Sequence, residues 1–131
     1  MQLNHLDLPV PDVALAATFF QTAFGFRCLE SRGRDGMAIL QGDGGFVLVL
    51  TRTRPTQPPQ YPERFHIGFL LDSEQAVRNA WQRLADAGAH PPEAPRAMRG
   101  GFMFYCHAPG GILVEVSHRP AGDQATDSAY P

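Results

Sequence analysis

The chain has 131 residues, 44% of them hydrophobic, with 11 basic against 13 acidic residues and a net charge of -2. That length supports one real core, and near-neutrality without runs of one sign excludes a polyanion-binding face, so nucleic acid is not an expected partner. No stretch approaches the roughly 18 consecutive apolar residues of a membrane span, the start lacks a basic then apolar leader, and the two cysteines, Cys28 and Cys106, make no disulfide framework; both are expected reduced and packed, in a cytoplasmic protein.

Residues 2–8 (Gln-Leu-Asn-His-Leu-Asp-Leu) alternate in part and run into Pro9 and Pro11, which predicts a strand carrying His5 and ending in a turn. Asp12 then stands as the cap of a helix through Phe24, with Val13, Ala16, Ala17, Phe20 and Phe24 at helical spacing and Gly25 just past its end. Strands follow over residues 26–31, 37–41 and 46–51, separated by Arg-Gly-Arg-Asp-Gly and Gly-Asp-Gly-Gly turns. Residues 52–63 hold Pro55, Pro58, Pro59 and Pro62, which propagate neither ladder nor helix, and read as a linker.

The same order then begins again. Residues 64–71 predict a strand with His66 at its centre, and Asp72 and Gln75 stand at capping-box spacing before a helix with Ala76, Val77, Ala80, Trp81 and Leu84 on one face. Gly88 lies 22 residues after His66, as Gly25 lies 20 after His5. Such repetition outweighs any single motif. A weak strand over residues 94–98, a stronger one over 102–107, an Ala-Pro-Gly-Gly turn and a last strand over 112–117 complete the second half, and residues 120–131 read as a loose tail.

Alternation assigns faces. In the last strand Ile112, Val114 and Val116 share one side and Glu115 takes the other; Phe65, Ile67 and Phe69 likewise leave His66 with Gly68, and Leu6 and Leu8 leave His5. Phe102, Phe104 and Cys106 form a core face, which turns Met103, Tyr105 and His107 to the side of Glu115. Two imidazoles and a carboxylate suit a borderline divalent ion and leave coordination positions for water and substrate. A single strand histidine is more often packed or solvated. The corresponding positions of His5 and His66 in a repeated unit are what raise them, with Glu115, to metal-ligand candidates.

Leu3-Asn4-His5-Leu6-Asp7-Leu8-Pro9-Val10-Pro11-Asp12, then Thr18-Phe19-Phe20 and Phe24-Gly25-Phe26-Arg27, resembles the opening of the vicinal oxygen chelate superfamily. Phe102 to Tyr105 followed by Pro109-Gly110-Gly111-Ile112-Leu113-Val114-Glu115 is similar to its closing hairpin. That superfamily includes glyoxalases, extradiol dioxygenases, fosfomycin resistance transferases and bleomycin-binding proteins. The resemblance covers about residues 2 to 118. It implies an α+β fold of two βαβββ modules, residues 2–51 and 64–118, forming a cupped mixed sheet around a cleft with helices outside. It implies a homodimer, with exchange of modules between subunits left open. The ligands carry over as His5, His66 and Glu115, the ion as Mn(II) or Fe(II) with Zn(II) as a further option, and the substrate as a small molecule.

Departures narrow the reaction. Glyoxalase I-like enzymes place another carboxylate on the fourth strand, where this chain has Phe46-Val47-Leu48-Val49-Leu50, which disfavours that activity. Tyr105, ten residues before Glu115, falls where dioxygenases and fosfomycin enzymes carry an active-site tyrosine, and is the candidate catalytic residue. Dioxygenases add an acid-base histidine, and His107 and His90 do not obviously match it. Fosfomycin enzymes use a lysine and serines in the loop before the closing hairpin; this chain has no lysine, and Arg96 and Arg99 are the candidates to meet an anionic substrate, with solvated loop arginines as the bland alternative. Met103 and His107 complete the expected substrate contacts. The rival from another class is a metal-free dimer that sequesters a planar ligand between Phe46, Met103, Tyr105 and Tyr61, a role that does not need two histidines and a glutamate at ligand positions.

Overall fold

The computed structural model describes residues 1–54, 56, 59–89, 91 and 93–120. Pro55 and Pro58 of the expected linker, His90 and the expected tail from residue 121 on lie outside the described residues. The chain divides into two compact units, residues 1–62 with 108–111, and residues 63–107 with those from 112 on. No helix among the described residues is long and apolar enough to cross a membrane.

The first unit runs β1 (His5–Val10), α1 (Val13–Phe24), β2 (Arg27–Arg32), β3 (Met37–Gln41) and β4 (Val47–Arg52). Its sheet has the order β1-β4-β3-β2, with β1 parallel to β4 and the other pairs antiparallel. The expected strand therefore extends through Pro9 instead of stopping before it. A proline has no N–H for a ladder, and β1 tolerates one because it is an edge strand with a neighbour on one side only.

Two carboxylates fix the start of α1. Asp12 accepts from the Leu15 N–H at 2.9 Å, as its capping position predicts, and Asp35 reaches from the β2–β3 turn to accept from the Ala14 N–H at 2.6 Å. At the other end Gly25 takes a φ of 70°, the left-handed turn that releases the chain into β2. Val13, Ala16, Ala17, Phe20 and Ala23 of the helix are buried, and α1 packs on β3 and β4, whose Ala38, Leu40, Leu48 and Leu50 are also buried. Phe20 is the centre of this core, with its ring edge-on to Phe19 at 5.2 Å and to Phe26 at 5.9 Å between centroids.

The second unit repeats the plan: β5 (His66–Leu70), α2 (Glu74–Asp86), β6 (Arg96–Met98), β7 (Gly101–His107) and β8 (Leu113–His118), in the sheet order β5-β8-β7-β6. Again the first strand is parallel to the last, and the others are antiparallel. The two mixed four-stranded sheets with one helix each are the α+β arrangement of paired βαβββ modules. The cap of α2 is Ser73, one residue after the expected Asp72. Its hydroxyl accepts from the Ala76 N–H at 3.0 Å, so the third helical position holds an alanine and no reciprocal capping box forms. Val77, Ala80 and Leu84 are buried, and α2 packs on β7 and β8, which bury Phe104, Cys106, Val114 and Val116.

The cysteines divide. Cys106 is buried, as expected, but Cys28 is exposed, because it stands on the edge strand β2, all of whose residues are exposed. Burial pushes the Cys106 thiol up to about 11, so at about pH 8 it remains a protonated, shielded thiol. An aromatic disulfide reagent is expected to titrate one thiol in the folded protein and two in denaturant, with the fast one lost in Cys28→Ser.

Candidate metal centre

Strand register decides which side chains share a surface, because directly paired residues stand on the same side of a sheet and the side alternates with every residue. In the second unit one row runs His66, Leu113, His107 across β5, β8 and β7. The next row runs Gly68, Glu115, Tyr105, and the third runs Leu70, Ser117, Met103 and Arg96. The helix α2 covers the opposite face. His66, Glu115, Tyr105, His107, Met103 and Arg96 thus emerge on one surface, as alternation predicts.

Glu115 is the unusual member. Only 8% of its surface is exposed, and a carboxylate at that depth requires partners. Tyr105, directly opposite on β7, donates its hydroxyl proton to Glu115 Oε1 at 2.7 Å. Oε2 makes no hydrogen bond among the described residues. On β5, Gly68 leaves room for it: a Cβ at that position would stand 3.7 Å from Oε2, so any longer side chain would press into the carboxylate.

His66 stands one row away, its ring edge-on to Tyr105 at 6.4 Å between centroids. Its Nδ1 lies 2.8 Å from the Arg64 carbonyl oxygen. A carbonyl only accepts, so Nδ1 carries the proton and the neutral ring has its lone pair on Nε2, the atom that ligates. In the first unit His5 is exposed, and its Nδ1 lies 2.7 Å from Asn4 Oδ1, which sets the same tautomer. A backbone or amide oxygen behind a ligating histidine orients the ring and raises its basicity. Both oxygens come from residues one or two places upstream in sequence.

The register also shows where the two units differ. His5 pairs with Val47 as His66 pairs with Leu113, so the histidines occupy corresponding positions. In the following row Asp7 pairs with Val49 and Val49 with Ile39, where the second unit has Gly68, Glu115 and Tyr105. The first unit thus keeps a carboxylate in this row but carries it on the first strand. Asp7 is exposed and accepts from Thr51 Oγ1 at 2.7 Å. Tyr61, half-buried, donates to the Pro9 carbonyl at 2.6 Å, and its pKa is raised by burial and then by the Asp7 charge.

The remaining candidates are placed as follows. Arg99 Nη1 donates to Tyr105 Oη at 2.9 Å, which joins it to the Tyr105–Glu115 pair. Arg96 instead pairs with Glu93 at 3.5 Å in the open. Met103 is fully buried, and His107 is exposed at the end of β7. Arg119 was not singled out by its sequence; its Nη1 donates to the Arg99 carbonyl at 2.8 Å, a contact that depends on the turn and has no local signal. The second unit therefore offers a ring nitrogen and an open carboxylate oxygen, a donor pair suited to a divalent ion. Among the described residues of this unit no third histidine, cysteine or carboxylate joins them.

The sequence pattern of the Glyoxalase/Bleomycin resistance protein/Dioxygenase superfamily matches residues 2–116. Glutathione transferase FosA of Serratia marcescens is 30% identical over 114 residues, which span 87% of this chain and 78% of that protein. The solved structure of a possible glyoxalase from Bacillus cereus is similar with a TM-score of 0.78 and 37% identity, over 88% of this chain and 97% of the other. Lactoylglutathione lyase from Agrobacterium tumefaciens shares the fold with a TM-score of 0.69 at 18% identity, over 89% of this chain and 92% of its own.

Proposed function

This chain belongs to the Glyoxalase/Bleomycin resistance protein/Dioxygenase superfamily, and we propose that within it the chain is a metal-dependent enzyme whose small substrate chelates a divalent ion through vicinal oxygens. His66 and Glu115 are two of the protein ligands in this reading, and His5 is the third. The ion is Mn(II) or Fe(II) before Zn(II), and the working form is a homodimer.

The observation that carries the reading is Glu115: a carboxylate with 8% of its surface exposed, one oxygen held by Tyr105 and the other without a hydrogen bond among the described residues. Because no buried side-chain oxygen among the described residues lacks a partner, that second oxygen reaches solvent, and there it is open to a cation. The matched tautomers of His5 and His66 support the same conclusion.

A bound divalent ion would supply Lewis acidity to substrate oxygens as negative charge grows on them. The chain's own residues complete the chemistry. Tyr105 holds a proton between Glu115 and the sheet surface, where it can be shared with a substrate oxygen, and the Arg99 guanidinium on its far side keeps positive charge next to that proton. This arrangement favours a substrate that is anionic or becomes so. Both a thiol addition, as the glutathione transferase activity of FosA suggests by likeness, and a dioxygenase-type reaction would use these groups.

Stripped of metal and reloaded, the protein is expected to take up one Mn(II) per chain by elemental analysis. Reloaded enzyme would then turn over one member of a panel of catechols, epoxides with thiols, and 2-oxoaldehydes with thiols. A chain that retains no metal but binds planar aromatic ligands would overturn the reading in favour of sequestration.

A further inference from the structure

Arg99 occupies a position that suits other residues better. With Gly100 it forms the two-residue link between the paired Met98 and Gly101 of the β6–β7 hairpin, and both link residues have positive φ, 51° and 74°. Asn, Asp or Gly is favoured at the first position of such a turn, and the left-handed conformation is strained for a long side chain. Arg119 steadies the strained residue by donating to its carbonyl. Strain held in place by its surroundings suggests a use for the side chain.

That use is legible in the direction of the hydrogen bonds. Guanidinium only donates and carboxylate only accepts, so in the chain Arg99 Nη1, Tyr105 Oη, Glu115 Oε1 the single phenolic proton is directed to Glu115. We infer that Arg99 is a positioning residue: by donating to Tyr105 it commits the tyrosine proton to Oε1, so that Glu115 presents Oε2 alone, above Gly68, as a one-oxygen ligand. The inference rests on the metal reading above and adds to it what sets the strength and denticity of the carboxylate.

Cobalt(II) added to the metal-free full chain reads both quantities, affinity from the titration and coordination number from the intensity of its visible absorption. Tyr105→Phe releases Oε1, and is expected to weaken binding about tenfold and to lower the band as a second carboxylate oxygen joins. Arg99→Asn is expected to act in the same direction by a smaller factor, while its thermal stability without metal is kept or raised, because asparagine suits the turn. Arg99→Lys, which retains a donor, is expected to fall between wild type and Arg99→Asn. Unchanged affinity and spectrum in Tyr105→Phe and Arg99→Asn, beside lost binding in His66→Ala, would overturn the positioning role and leave the metal reading standing. A wild-type chain that takes up no cobalt, or a His66→Ala chain that binds it as tightly, would remove the metal reading and this inference with it.

Discussion

Alanine at Glu115 or at His66 is expected to weaken divalent-metal binding by at least about 100-fold, more than the loss of an outer hydrogen-bonding partner, which costs about 10–100-fold. The two substitutions should differ in the metal-free protein. Glu115 is a buried carboxylate whose only hydrogen bond among the described residues comes from Tyr105. Removing it takes the acceptor from the Tyr105 hydroxyl, while Tyr105 keeps the bond from Arg99. Metal-free Glu115→Ala is thus expected to melt near the wild-type temperature, and the gain in melting temperature on adding metal is expected to vanish. In the wild type that gain corresponds to about 2.7 kcal/mol when the ion is present at 100 times its dissociation constant. Glu115→Gln sharpens the comparison, since the amide oxygen still accepts from Tyr105 but the charge is gone. Calorimetric titration with Mn(II) and melting with and without the ion check all three variants.

The second large effect concerns stability. Phe20→Ala is expected to cost about 3–5 kcal/mol, because Phe20 is fully buried and packs against Phe19 and Phe26, and a cavity of that size cannot be closed by collapse of one helix on a sheet. Against a usual domain stability of about 5–15 kcal/mol this is a large fraction. It corresponds to a fall in melting temperature on the order of 10–20 °C. Leu15→Ala, on the exposed side of the same helix, serves as the control and should stay within about 0.5 kcal/mol. Urea denaturation followed by circular dichroism measures both.

Helix and strand order were legible because the apolar periodicities are clean. Val13, Ala16, Ala17 and Phe20 repeat at helical spacing and all four are buried, and the alternation in the last strand put Glu115 opposite Val114 and Val116, where the register also puts it. The repeat gave the correspondence of His5 and His66. Pro9 misled, since whether a proline ends a strand depends on whether that strand is at an edge, and edges follow from topology. Ser73 and not Asp72 is the cap because the helix begins one residue later, at Glu74, which the sequence pattern does not fix. Cys28 is exposed because β2 is the edge strand, a place that also follows from topology. At the candidate site Tyr105 and Glu115 could be paired from the sequence, because a tight hairpin brings residues ten apart face to face. The bond from Arg99 could not, since it depends on a positive φ at a residue that rarely adopts one.

The row that holds Asp7 and Val49 in one unit and Gly68 and Glu115 in the other is where the two repeated units differ in charge placement. In each copy one strand of the parallel pair carries the acid and its neighbour carries a residue without charge. Acids on both strands would set two like charges about 5 Å apart, which the sheet disfavours. Each copy holds a single acid, on opposite members of the pair. The halves are therefore not interchangeable: two copies of the second joined in tandem would hold two buried carboxylates in this row, and two copies of the first would hold none.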